Sequence, residues 1–127
     1  MTGRMLAVVA LGVTTVACRG NNPEYGKAYV TPVAGGDASR GEAVIARAGC
    51  GSCHTIPGIS GADGLVGPPL YWFSRRTYIA GELPNTPENL VRWVQWPTAV
   101  EPTTAMPASG LSDQQARDVA AYLYTLR

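Results

Sequence analysis

The amino-acid sequence predicts a small all-α domain with long loops, and three observations carry that expectation. Three stretches repeat apolar residues at helical spacing behind recognisable capping residues. No stretch alternates apolar and polar residues as a half-buried strand would. Residues 58–84 are so rich in glycine and proline that the centre of the domain must be mostly loop, an unusual ratio unless something large fills the middle.

The first helix is expected from about Ser39 to Ala48. Ser39 and Glu42 stand at the spacing of a capping box, Ala43 and Val44 give it small apolar contacts, and Gly49 is its stop. The second starts with Thr86 as N-cap and Pro87 in the first helical position, where a missing N–H does no harm. Leu90, Val91, Trp93 and Val94 form its apolar side, and Pro97 is expected to terminate it. The third begins at Ser112, which pairs with Gln115 as a second capping box. Ala116, Val119, Ala120 and Leu123 give it an amphipathic face running to the C-terminus.

Residues before Asp37 read as something other than fold. Arg4 is followed by an apolar run from Met5 to Val16, too short for a membrane-spanning helix, which needs roughly 20 residues. Residues 1–17 are therefore expected to be a signal peptide that exports the chain, with an uncleaved anchor as the other reading. Of the 3 cysteines, Cys18 stands alone at the end of this run. Thr15-Val16-Ala17-Cys18 resembles a bacterial lipobox, although that pattern prefers leucine where Thr15 stands. Cleavage by an ordinary signal peptidase would instead leave Cys18 as a free thiol. Lipidation accounts for both the presence and the position of a leftover cysteine, and would hold the protein at the periplasmic side of a bacterial membrane. Residues 18–36, with Asn21-Asn22-Pro23 and Gly35-Gly36, read as a tether, and residues 37–127 as the folded domain.

Composition narrows the partners. Apolar residues make up 46% and charged residues 15%, which supports a packed core and excludes global disorder. The formal net charge is +1 and Lys27 is the single lysine, so no basic stripe exists to hold nucleic acid.

Cys50-Gly51-Ser52-Cys53-His54 carries the chemistry. Two cysteines at this spacing followed directly by histidine form the attachment motif of a c-type haem. In a turn after a helix, the two sulfurs reach the vinyl groups of adjacent pyrroles, and the next residue lies under the iron. A thioredoxin-like dithiol would need a strand before it. A structural zinc site needs 4 ligands, which this chain cannot assemble locally with its one histidine. A plain disulfide would close a short, strained loop with no reason for a following histidine. One covalent haem is therefore the expected cofactor, bound through Cys50 and Cys53 and ligated by His54.

An electron-transfer haem uses a second axial ligand. His54 is the only histidine, and Met1 and Met5 fall in the signal peptide, which leaves Met106. A lone methionine is ordinarily a filler of core gaps. Met106 instead lies in a proline- and threonine-rich loop between the second and third helices, suited to approach the opposite face of the haem.

On these residues the sequence resembles the class I cytochromes c from about Asp37 to Arg127. The resemblance implies the small class I cytochrome c fold, three main helices and long loops wrapped around one haem. Gly67-Pro68-Pro69-Leu70 resembles the family's Gly-Pro-x-Leu, which implies that the Pro68 carbonyl accepts a hydrogen bond from His54 and that Leu70 packs on the haem face. It further implies Trp93 near the methionine side, Thr104 at a haem propionate, and Arg75 or Arg76 at a propionate. Gly41 and Tyr122 match the close crossing of first and last helices. Ile45 replaces the bulky aromatic expected on the first helix, and the surface lysines of the mitochondrial relative are missing. Trp72, Phe73 and Trp96 are expected to be packing rather than relay residues. Asp63 and Glu82 are expected to be ordinary loop charges.

The function expected from this is electron transfer in a respiratory chain by a membrane-associated carrier, without a small-molecule substrate and without catalysis of its own. The other reading is an integral haem subunit of a larger redox complex such as a terminal oxidase; a haem enzyme or gas sensor would require an open axial position. Redox partners in the membrane or periplasm, for example a quinol-oxidising complex, are expected to meet the haem edge near Cys50 and Cys53. The flanks Gly51, Ser52, Ile56, Pro57 and Ile59 carry no charge, so weak salt dependence is expected.

Overall fold

The computed structural model describes residues 32–127. The expected signal peptide, Cys18 and most of the tether lie outside the described residues. Among the described residues no helix is long and apolar enough to cross a membrane.

Helix α1 spans Ala38–Arg47. Its N-cap is Asp37, whose carboxylate accepts from the Arg40 N–H at 2.8 Å. The Ser39–Glu42 capping box is thus corrected: Asp37 occupies the non-helical cap position, which leaves Ser39 inside the first turn. Gly49 is the stop the sequence predicts, with a left-handed φ of 74°. A 3₁₀ turn at Cys50–Ser52 follows, and another at Phe73–Arg75.

Helix α2 spans Pro87–Gln95, with Thr86 accepting from the Asn89 N–H as N-cap. Pro97 does more than end it. A proline suits the first position of a helix as well as it spoils an interior, and Pro97 opens the short helix α3, Pro97–Val100. Helix α4 spans Asp113–Leu123 behind the complete Ser112–Gln115 capping box, and stops at Leu123 rather than running to the C-terminus.

The expectation of no strand needs one amendment. Tyr78–Ile79 (β1) pairs antiparallel with Leu83–Pro84 (β2), aligning Tyr78 with Pro84 and Ile79 with Leu83. Two residues a side are too few to show alternation. The reversal depends on left-handed backbone at Ala80 and Gly81, φ 54° and 79°.

Helix α4 is the spine, packing on both α1 and α2. Val44 and Ile45 of α1, Leu90, Val91 and Val94 of α2, and Ala116, Val119, Ala120 and Leu123 of α4 share one buried cluster. The α1–α4 crossing is closed at Gly41: a Cβ there would stand 2.0 Å from the Asp118 carbonyl oxygen and 3.0 Å from the Tyr122 Cβ. Only glycine allows this approach, as the resemblance implied. The crossing is also tied by charge. Asp118, only 3% exposed, accepts from the Asp37 N–H at 2.9 Å, from Arg40 Nε and Nη2 at 2.9 and 2.8 Å, and from Gln114 at 3.0 Å.

Candidate functional site

The segment after α1 folds as a compact turn because successive backbone donors find nearby carbonyls. The Ser52 N–H donates to the Gly49 carbonyl at 3.0 Å, and the His54 N–H to the Cys50 carbonyl at 3.0 Å. The loop 62–70 then wraps the turn. Gly64 N–H donates to Gly51 at 3.0 Å, Gly67 N–H to Cys53 at 2.7 Å, and Leu70 N–H to Thr55 at 2.9 Å. The fit is close enough that a Cβ on Gly51 would meet the Ala62 Cβ at 2.6 Å. Cys50 and Cys53 are both half-buried and both free. Burial pushes the Cys50 thiol up from its ordinary range, with the neighbouring Cys53 adding to it.

His54 is the most constrained group here. Its Nδ1 lies 2.8 Å from the Pro68 carbonyl oxygen. A carbonyl can only accept, so Nδ1 carries the proton and Nε2 keeps its lone pair for a metal. Gly67 lies close against the ring: a Cβ there would stand 2.3 Å from Cε1 and 2.9 Å from Nε2. The imidazole is therefore held in tautomer and in orientation, the arrangement a metal-ligating histidine requires. Two free thiols beside a tautomer-locked imidazole fit a covalently attached haem. They do not fit a bare ion, since among the described residues no group of three or more His, Cys, Asp or Glu stands together to hold one.

The remaining candidates form two further groups. Leu70 and Trp93 are partly buried and pack on the apolar core. Arg76 donates from Nη2 to the Pro69 carbonyl and lies with its guanidinium 5.3 Å from the Phe73 ring centre. Burial lowers its pKa, whereas Arg75 is exposed. Of the two arginines left open by the sequence, Arg76 is the one attached to the Pro68-Pro69 segment. Thr104 and Met106 form the second group, half-buried in the loop after α3, with the Met106 N–H donating to Thr104 Oγ1 at 3.2 Å. Among the described residues no hydrogen bond joins this loop to the histidine turn.

Two expectations about the surroundings are corrected. Ile56 and Ile59 are not exposed flanks but core residues, 2% and 9% exposed, because the loop folds back through Ile56 N–H to the Ala62 carbonyl. Trp72 and Trp96 are exposed, while Phe73 is buried edge-on to Tyr124 as a packing residue. The sequence reading missed Asn85, which donates to the Phe73 and Arg76 carbonyls and accepts from the Tyr124 hydroxyl at 2.8 Å. Its partners are 9 to 39 residues away, and its only local signal is a place beside Pro84 and the Thr86 cap.

The chain is similar to known proteins in sequence and in fold. The family model for cytochrome c matches residues 38–127. The chain is 33% identical over 91 residues to the cytochrome c oxidase subunit 2 of Alkalihalophilus pseudofirmus, covering 71% of this chain and 26% of that protein. It is 31% identical over 94 residues to the subunit of the same name from Bacillus sp. (strain PS3), again covering 71% and 26%. The chain thus spans about a quarter of the length of these curated relatives. Among solved structures, cytochrome c2 from Rhodobacter sphaeroides superposes with a TM-score of 0.54 at 22% identity, over 72% of this chain and 96% of that one. That likeness concerns the fold.

Proposed function

The chain belongs to the cytochrome c family, and on that premise we propose that it is a class I, monohaem, exported electron carrier of a respiratory chain whose iron is held between His54 and Met106. Family membership implies covalently bound haem c and electron transfer. The attachment points are Cys50 and Cys53. The haem, when bound, supplies a one-electron redox couple.

The observation that carries the reading is the hydrogen bond from His54 Nδ1 to the Pro68 carbonyl. It leaves Nε2 free to ligate an iron and holds the ring in a fixed orientation for it. Leu70 and Trp93, packed on the apolar core, would help to keep water from the bound haem. Arg76 supplies positive charge, and Thr104 fixes the Met106 backbone. A thioether opposite the imidazole favours the reduced state, so the potential is expected to be high. Lipidation of Cys18 would hold the domain on the periplasmic face of the membrane and raise the local concentration of redox partners there.

Carbon monoxide tests the ligation. The reduced protein should bind it slowly or not at all, and Met106→Ala should bind it rapidly and with a lower potential. Rapid binding by the unaltered protein would overturn the second axial ligand. A second reading is favoured by the relatives named cytochrome c oxidase subunit 2: the chain is a fixed haem subunit of a terminal oxidase. Mild extraction from membranes separates the two, since a fixed subunit leaves with its complex and an anchored carrier leaves alone.

A further inference from the structure

The two most exposed large apolar side chains among the described residues are adjacent: Leu65 at 90% and Val66 at 79%. Isolated exposed apolar residues are common and need no account. This pair is held in place. The loop that carries it is bonded to the attachment turn on both sides, through Gly64 N–H to the Gly51 carbonyl and Gly67 N–H to the Cys53 carbonyl. Gly64 lies so near that a Cβ on it would stand 2.4 Å from the Ser52 carbonyl oxygen. Leu65 and Val66 are therefore presented at a fixed place beside the two cysteines, while Ile56 and Ile59 serve the core.

The charge pattern points the same way. Between Ala48 and Ser74 the only charged residue is Asp63, and the one cation bonded to this loop, Arg76, is engaged by the Pro69 carbonyl, whereas the ion pairs lie on and between α1 and α4. A partner bringing a charged patch to this face would desolvate its charges against aliphatic carbon with almost nothing to pair them. A partner bringing an uncharged apolar patch loses no hydration of charge and gains by releasing water from both surfaces.

We propose that Leu65 and Val66 are the contact by which a redox protein docks, and that this partner presents an uncharged, apolar patch around its own redox centre. The proposal rests on the electron-carrier reading. In the docked pair one electron passes from the reduced to the oxidised member, with no bond made or broken and no proton moved. The contact is small and transient, in the class below about 1,200 Å².

Electron self-exchange between reduced and oxidised copies of the haem-loaded protein tests this, because each copy offers the other the same apolar patch. The rate in the parent should change little between about 0.01 and 1 M salt, over which the Debye length falls from about 30 to 3 Å. Leu65→Glu with Val66→Glu should slow exchange by about tenfold or more at low salt, with partial recovery at high salt as the like charges are screened. Leu65→Ser with Val66→Ser should slow it without introducing salt dependence. Both variants should keep the visible spectrum, and the serine variant should also keep the rate of reduction by ascorbate. Unchanged self-exchange in the glutamate variant would overturn the proposal. So would a shifted spectrum or reduced haem loading in the serine variant, which would mean that these side chains cover the cofactor. If the parent itself takes no electron from ascorbate, the carrier reading fails, and the proposal with it.

Discussion

The α1–α4 crossing and the loop segment from Cys50 to Arg76 differ in how they are completed. The crossing is finished by the polypeptide: Gly41 admits the approaching backbone, and Asp118 is supplied with four hydrogen bonds from three residues. The loop segment is also bonded along its backbone, yet it holds two free thiols, an imidazole nitrogen with no hydrogen bond among the described residues, and exposed Leu65, Val66, Tyr71 and Trp72. One region is built to be stable alone. The other leaves its thiols and its imidazole Nε2 uncommitted, as the proposed haem attachment needs.

If this contrast is right, damage to the crossing should reduce stability without altering ligation. Gly41→Val has the largest expected effect, because the new side chain must enter the space held by the Asp118 carbonyl. The helices would separate at a cost of about 3 kcal/mol or more, measurable by denaturant unfolding, and the haem spectrum of the protein that still folds should be unchanged. A small loss of stability would mean that the crossing is looser than the 2.0 Å clearance requires.

Asp118→Asn comes next, at about 2 kcal/mol for weakening charge-assisted hydrogen bonds to Arg40 and the Asp37 backbone. The hydrogen bonds from Arg40 hold the Asp118 carboxyl below its ordinary value, against its burial. In the unfolded chain the same group titrates near about 3.9. Its contribution is therefore complete above that pH and is lost as pH falls toward the lower folded value. Acid unfolding of the Asn variant should be correspondingly less steep.

Tyr124→Phe has the smallest effect. It removes the hydrogen bond to Asn85, worth about 1 kcal/mol. Burial, with Glu88 adding, pushes the Tyr124 phenol up to about 12. An unfolded tyrosine titrates near about 10, so its stabilisation is complete below that pH and is lost as pH rises from about 10 to 12. The Phe variant should lose this alkaline transition, as followed by circular dichroism.

The same contrast sorts what was legible in the sequence. The attachment pentapeptide, the Thr86 and Ser112 caps and the Gly49 stop could all be read because each acts within a few residues of itself. The resemblance to class I cytochromes c added the Pro68 carbonyl and the Gly41 crossing, both of which the geometry contains. Reading failed where the deciding contact is remote. Ser39 looked like a cap until Asp37, aligned by Asp118, took that place 81 residues from its partner. Ile56, Ile59, Leu65 and Val66 are chemically alike, and only the fold of the loop on itself buries the first pair and exposes the second. The β1–β2 hairpin was invisible because two residues a side carry no pattern.

The most direct test of the central claim is the intact mass of the exported protein after acid denaturation without reductant. A haem fixed by Cys50 and Cys53 predicts the mass of the mature chain plus one haem, with the visible absorption travelling with the polypeptide. In Cys50→Ser with Cys53→Ser both should be lost. A bare chain, or one lighter by two hydrogens because the cysteines had joined, would contradict it.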